Sequence, residues 1–100
     1  MKRTKNMVFT PSAESRELFL YASNNSAIYF SRILPIVKNL KKHLAKNQYN
    51  TEKAVIAFYH VMTEASNLYC RDFGFMFTVT ERYTAAIEME REFTENNYNM

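Results

Sequence analysis

The sequence contains few of the residues that turn or end a chain. Its 100 residues include one glycine, two prolines and no tryptophan. Folds made of many short strands need frequent turn residues, so this scarcity argues against an all-β protein. Cys70 is the single cysteine, so no internal disulfide can form, and a lone thiol fits a reducing compartment.

Long apolar runs are also absent. No segment is apolar over about 18 consecutive residues, the length that a membrane span requires. The basic start Met1–Asn6 is not followed by the apolar segment of a signal peptide. The sequence therefore predicts a cytoplasmic protein without a membrane partner.

Apolar residues themselves are plentiful, at 47% of the chain, with eight Phe and seven Tyr. A chain of this length is expected to fold as one domain and to bury roughly 65% of the surface that its unfolded form exposes. We expect a single helical domain over residues 1–100, with short tails at about 1–9 and 96–100.

The spacing of the apolar residues predicts an all-α fold, a compact bundle of about four helices. The predicted helices cover about 11–22, 26–46, 51–73 and 79–94. Thr10 and Pro11 suit the N-cap and the first position of the first helix. Pro35 lies inside the second helix, where it either kinks the helix or marks its beginning.

Local signals define the third and fourth helices. Asn50 or Thr51 is expected to cap the third helix, Gly74 to end it, and Thr78 with Glu81 to form a capping box for the fourth. The linker Phe75–Phe77 is expected to pack into the bundle, because three exposed apolar residues in a row are costly. The residues expected to face the core are Ile33, Ile36, Val37, Leu40, Leu44, Val55, Phe58, Tyr59, Met62, Ala65, Tyr69, Phe73, Tyr83, Ala86, Ile87 and Phe93.

Charge divides the chain into two unlike halves. Residues 1–50 carry nine Lys or Arg against two Glu, and residues 51–100 carry four Lys or Arg against eight Asp or Glu. In each half the charges fall largely on one side of a predicted helix. The predicted basic face consists of Arg32, Lys38, Lys41, Lys42 and Lys46. The predicted acidic face consists of Glu81, Glu88, Glu92 and Glu95.

Each charged face has more than one interpretation. The lysines suit phosphates or an acidic protein, and the glutamates suit a basic protein, but a solvated helix surface explains either set. Glu90 falls inside the apolar stripe, so it needs a partner such as Arg82 or Arg91 unless it is half exposed. Three tyrosines near helix ends are expected to be exposed and to serve as contacts in a binding surface. They are Tyr21, Tyr29 and Tyr49.

The sequence shows no pattern for catalysis or metal binding. His60 and Glu64 share a helix face, but there is no His-Glu-x-x-His motif and no pair of cysteines for zinc. Ser66, His60 and Asp72 have neither a nucleophile elbow nor a glycine-rich oxyanion loop around them. We expect a protein that is not an enzyme and that needs no cofactor or metal.

Three segments carry a resemblance to a known group of proteins. Ile33–Leu40 contains Pro-Ile-Val-Lys-Asn-Leu, Tyr49–Val55 contains Tyr-Asn-Thr-Glu-Lys-Ala, and Glu64–Tyr69 lies in an aromatic-rich third helix. This order resembles that of small helical proteins commonly encoded by bacteriophages and mobile elements, over about residues 15–95. The resemblance implies a bundle and a viral accessory role, and it transfers no catalytic residue.

These observations favour a protein-binding module, in particular a phage-encoded modulator or inhibitor of a host protein or defence complex. Steered association through charged faces needs no catalytic pocket. Two alternatives stay open. One is an accessory protein that binds nucleic acid through the basic face. The other is a structural protein that assembles by pairing the basic helix of one copy with the acidic helix of another.

Overall fold

A computed structural model describes residues 11–95 of the chain, which form four helices and their connections. The first helix, α1, spans Ala13–Asn24, the third, α3, spans Thr51–Phe73, and the fourth, α4, spans Val79–Glu95. The second, α2, is one helical segment made of the α-helical turn Ser26–Ile28, the π-helical turn Tyr29–Ile33 and the α-helix Leu34–Ala45. No strand occurs within residues 11–95, and the predicted all-α bundle is confirmed.

Helix α1 begins later than its sequence predicted. Ser12 is the N-cap, and it forms a reciprocal pair with Ser15. The Ser15 N–H donates to Ser12 Oγ at 3.0 Å, and the Ser12 N–H donates to Ser15 Oγ at 2.9 Å. Pro11 therefore precedes the helix instead of opening it, since two serines satisfy the first free N–H groups better. The predicted cap Thr10 and the predicted tails 1–9 and 96–100 lie outside the described residues.

The predicted bounds of α3 are confirmed at both ends. Asn50 Oδ1 accepts a hydrogen bond from the Lys53 N–H at 3.0 Å, as an N-cap does. Gly74 follows the helix with φ +74°, and its N–H donates to the Cys70 carbonyl at 2.7 Å. The capping box of α4 is confirmed too, because Thr78 and Glu81 exchange hydrogen bonds of 2.8 and 3.1 Å.

Helix α2 continues past Pro35 because a π turn comes directly before the proline. The Leu34 N–H donates to the Tyr29 carbonyl, five residues back. A proline at position 35 has no N–H for the Ser31 carbonyl, and its ring would collide with that carbonyl in a regular helix. The wider turn directly before Pro35 accommodates this conflict, so the helix continues beyond the proline instead of beginning there.

The core lies between α1, α3 and α4, and one side of α2 extends it. Helix α3 packs along α4, α1 packs against both, and α2 contacts α1 and α3 partly through its π turn. The largest fully buried apolar side chains come from all four helices. They are Leu18, Ile28, Ile33, Val37, Phe58, Met62, Met89 and Phe93.

Several aromatic residues expected in the core are exposed instead. Phe73 is 66% exposed because it lies in the last turn of α3, and Tyr83 is 46% exposed near the start of α4. Ala85, Ala86 and Met89 occupy the inward positions of α4. In the linker only Phe77 is buried, while Phe75 and Met76 are 42% and 77% exposed. The prediction that the whole linker packs into the bundle was therefore wrong.

A helix must be both long and apolar to cross a bilayer. None of the helices within residues 11–95 is both long enough and apolar enough to cross a membrane.

Gly74 offers a direct test of the turn after α3. A Cβ added there would meet no atom within 4 Å, so only the left-handed backbone opposes substitution. We expect Gly74→Ala to lower the free energy of unfolding by about 1 kcal/mol, and Gly74→Asn to lower it by less. Urea unfolding measures both, and an alanine variant as stable as the parent would contradict the role given to this conformation.

Candidate functional site

A group of aromatic side chains lies on the surface where α1, the end of α3 and the linker meet. Tyr69 is its centre, with ring centroids 5.1 Å from Tyr21, 4.7 Å from Phe73 and 5.0 Å from the buried Phe77. Phe75 lies 6.3 Å from Tyr69 and 4.8 Å from Phe77. We call this surface the aromatic patch. Its members are Leu20, Tyr21, Tyr69, Phe73 and Phe75, with Met76 added as the residue that follows Phe75 in the linker.

The patch exposes more apolar surface than single scattered residues do. Phe73 and Met76 are mostly exposed, and Leu20 and Phe75 are each more than two-fifths exposed. Contiguous exposed apolar surface of this kind marks sites of interaction in soluble proteins. Aromatic residues and methionine are also the residue types enriched at protein interfaces.

Local sequence explains why these side chains meet. Tyr69 and Phe73 are four residues apart on α3 and therefore share a face, where their rings touch. Gly74 then turns the chain, and the burial of Phe77 anchors the linker against the core. Since Phe75 stands two residues before Phe77 and contacts its ring, it is held beside Tyr69.

Two clefts flank Tyr69. One, of about 350 Å³, lies between α1 and the linker, with Ala13, Glu17 and Phe75 among its walls. The other, of about 470 Å³, lies between α1 and the end of α3, with Leu20 and Phe73 among its walls. Each cleft combines an apolar wall with the carboxylate of Glu17. The patch therefore offers two recesses that suit side chains having an apolar stem and a cationic end.

Acidic residues border the patch. The Tyr69 hydroxyl donates to Glu17 Oε2 at 3.4 Å, and Glu14 lines the same cleft. Neither Glu14 nor Glu17 forms an ion pair with any residue in 11–95. Burial of the ring, followed by the nearby Glu17 charge, raises the pKa of Tyr69. The hydroxyl of Tyr69 therefore stays protonated at neutral pH and remains a donor. We call Glu14, Glu17 and Asp72 the acidic rim.

Asp72 completes the rim on the side of Phe73. Its Oδ2 accepts from the Tyr21 hydroxyl at 3.5 Å, and its Oδ1 accepts from Arg71 Nε at 3.3 Å. Tyr21, one of the three tyrosines predicted as contacts, thus belongs to the patch although it is half-buried. The prediction of high exposure was wrong for all three tyrosines, since Tyr29 and Tyr49 are also half-buried against the core.

The predicted basic face is present on the outside of α2. Lys38, Lys41, Lys42 and Lys46 are all exposed, and none of them pairs with a carboxylate of residues 11–95. Arg32 differs, because its Nε donates to Glu64 Oε1 of α3 at 2.7 Å. The face is therefore a row of four lysines without an ion pair in the described part of the chain, with Arg32 already partnered at one end.

The predicted acidic face is not a continuous exposed surface. Glu92 and Glu95 are exposed, but Glu81 folds back to cap α4. Glu88 is 7% exposed and its Oε2 accepts a hydrogen bond from Arg16 of α1. The placement of Glu88 on the outer face was wrong, because α1 packs over this part of α4 and provides a cation to pair with it.

Glu90 is fully buried, so it is not the half-exposed residue that the sequence allowed as one alternative. Its Oε2 accepts from the Tyr49 hydroxyl at 2.7 Å. Arg82, one of the two expected partners, instead donates to the Phe77 carbonyl at 2.8 Å and to the Tyr59 hydroxyl at 3.3 Å. The hydrogen bond from Arg82 to the Tyr59 hydroxyl is the largest cause of the lowered pKa of Tyr59. Tyr49 therefore serves the interior and not an exposed surface.

The residues considered for chemistry are not assembled into a site. His60 is exposed beside the Tyr59 ring, and Ser66 is buried in the core. Within residues 11–95, no group of three or more His, Cys, Asp or Glu is placed to hold a metal ion. The aromatic patch brings together exposed apolar side chains from α1, the end of α3 and the linker. Sequence reasoning missed Leu20, Phe73, Phe75 and Met76 as candidates, because it assigned Phe73 and the linker to the core.

Comparisons with protein-family models, with curated proteins and with solved structures found no match to this chain.

The ion pair of the buried Glu88 with the exposed Arg16 makes a prediction about pH. Glu88 Oε1 has no hydrogen-bond partner among the described residues, and burial, only partly opposed by Arg16, raises the pKa of Glu88 above its ordinary value of about 4.5. The folded state therefore binds this proton more tightly than the unfolded state does. Relative to Glu88→Gln, the parent should gain stability as the pH falls from neutral toward about 4.5.

The measurement is the free energy of unfolding of parent and Glu88→Gln in urea, at several pH values across that window. Because the two proteins share every other carboxylate, the difference between them reports the titration of Glu88 and its coupling to Arg16 and Glu92. Glu95→Gln lies at an exposed position of the same helix. Its free energy of unfolding should differ from that of the parent by a nearly constant amount across this pH window. A parent that loses stability relative to Glu88→Gln on acidification would contradict the assignment.

Proposed function

We propose that this protein is a non-enzymatic protein-binding module that holds a basic, apolar segment of its partner at the aromatic patch. The observation that carries this proposal is the exposure of Phe73 and Phe75 around the half-buried Tyr69. The nearby carboxylates of Glu14 and Glu17 form no ion pair within residues 11–95. Without a partner this surface leaves large apolar side chains in water, and covering them is favourable.

The energy available at the patch suits a binding hot spot. Burying one large apolar side chain contributes about 1.5–3 kcal/mol, and Phe73 and Met76 are the most exposed members. Tyr69 and Tyr21 add rigid surface, since their rings are already fixed at 5.1 Å from each other. A partner therefore meets a surface that needs little ordering on binding.

Charge complementarity defines the chemistry of the partner. Glu14 and Glu17 line the cleft beside Phe75, and Glu17 also lines the cleft beside Phe73. Lysine or arginine side chains can lay their methylene stems on the rings and place their charged ends against these carboxylates. An amphipathic helix with apolar and basic residues on adjoining positions presents this combination.

The resemblance to proteins of bacteriophages and mobile elements supports a host protein as the source of this segment. In that setting the module works in the host cytoplasm and modulates or inhibits the protein or defence complex that it covers.

The proposal is tested with two variants at equally exposed phenylalanines. Phe73 in the patch and Phe30 in the π turn are both 66% exposed. The probe is a synthetic amphipathic helix of about 18 residues with Leu on one face and Lys on the other, measured by fluorescence anisotropy. Phe73→Ser should weaken its binding at least about tenfold, while Phe30→Ser should leave it nearly unchanged.

A second peptide with Glu in place of Lys separates charge complementarity from nonspecific hydrophobic binding. It should bind more weakly than the basic peptide, and Glu17→Gln should reduce the difference in affinity between the two peptides. Equal losses in Phe73→Ser and Phe30→Ser, or equal binding of both peptides, would refute the patch as a specific site. Circular dichroism of each variant checks that the helices are intact.

Nucleic-acid binding is a second candidate, supported by the free lysines of α2. Four unpaired cations along one helix suit phosphate contacts, which give affinity without reading sequence. The alternative of self-assembly through charged helices has less support, because Glu81 and Glu88 are engaged within the fold.

The candidate predicts binding to duplex or single-stranded DNA that falls steeply as salt rises from about 50 mM to about 500 mM. Replacing Lys38, Lys41, Lys42 and Lys46 together by Gln should abolish this binding and leave peptide binding at the patch intact. Absence of DNA binding at the lower salt concentration would remove this candidate.

A further inference from the structure

A third cavity lies away from the aromatic patch and shares no residue with it. It occupies about 550 Å³ between the second half of α2, the turn after it and the start of α3. This volume is within the range of sites that hold small molecules. Its floor is apolar and consists of Leu40, which is buried, with Ile36 and Ala57, which are half-buried.

The polar side chains around this floor all carry N–H groups that can donate, and no carboxylate of residues 11–95 lines the cavity. They are Asn39, His43, Gln48, Asn50 and Lys53. Lys53 forms no ion pair with residues 11–95. Lys42 and Lys46 stand on the neighbouring turns of α2, so the field at the cavity favours an anion.

Backbone contacts hold these donors in place. The Gln48 N–H donates to the His43 carbonyl at 2.7 Å, which fixes the turn after α2. Asn50 uses its Oδ1 to cap α3, so its amide Nδ2 keeps its hydrogens for another acceptor. Lys53 belongs to the first turn of α3, where the helix dipole also favours negative charge.

We propose that this cavity binds a small organic phosphate, with the phosphate at Lys53, His43 and the amides and an apolar body against Leu40 and Ile36. A carboxylate has two oxygens for the five donors, whereas a terminal phosphate has three oxygens and up to two negative charges. The apolar floor distinguishes this ligand from inorganic phosphate, which cannot cover it. The site is independent of the function proposed for the aromatic patch.

The experiment titrates the full-length, isotope-labelled protein with phenyl phosphate at constant ionic strength. Amide side-chain resonances of Asn39, Gln48 and Asn50 are followed by NMR. We expect saturable shifts at these side chains, and inorganic phosphate should bind at least several-fold more weakly. Benzoate, which keeps the ring but carries a carboxylate, should also bind more weakly than phenyl phosphate.

Two lysine variants of equal charge change provide the control. Lys53→Gln removes the cation at the cavity and should weaken phenyl phosphate at least about tenfold, since it removes a charged hydrogen bond. Lys41→Gln, on the outer face of α2, should change the affinity less than about twofold. Equal effects of the two variants, shifts that do not saturate, or equal binding of inorganic phosphate would overturn the proposal.

Discussion

Helix α3 contacts each of the other three helices of residues 11–95, and its contact with α4 is the most extensive in the fold. At 23 residues, α3 is roughly 34 Å long, whereas the 12 residues of α1 span roughly 18 Å. Helices α1 and α4 cover its middle, where Phe58 and Met62 are fully buried. Phe73 lies in the last turn of α3 and is 66% exposed, although it continues the same apolar stripe.

The aromatic patch is thus an uncovered extension of the core and not a separate structure. Tyr69 touches both the buried Phe77 and the exposed Phe73, so the rigidity of the interior is passed to the surface. The linker has the same dual character, because one of its three apolar residues anchors it and two remain in water. A rigid apolar surface with fixed carboxylates at its edge is suited to recognising a defined shape and charge.

The sequence correctly predicted both ends of α3 and the start of α4, which depend on neighbouring residues. The cap at Asn50, the stop at Gly74 and the capping box at Thr78 each depend on contacts within four residues, and all are confirmed. Glu88 was misplaced because its partner Arg16 is 72 positions away, and helical periodicity carries no information about which helix packs there. Likewise, Phe73 and Met76 have core-like identities, and their exposure depends on how the helices pack, which residue identity does not specify.

The π turn in α2 has a consequence for how related chains differ. A π turn holds one more residue than the α-helical turn that it replaces. Removing one residue from Tyr29–Ile33 would restore regular winding and leave Ile28 and the lysines on their present faces, but the ring of Pro35 would then meet the carbonyl four residues before it. The extra residue and the proline are therefore expected to be gained or lost together.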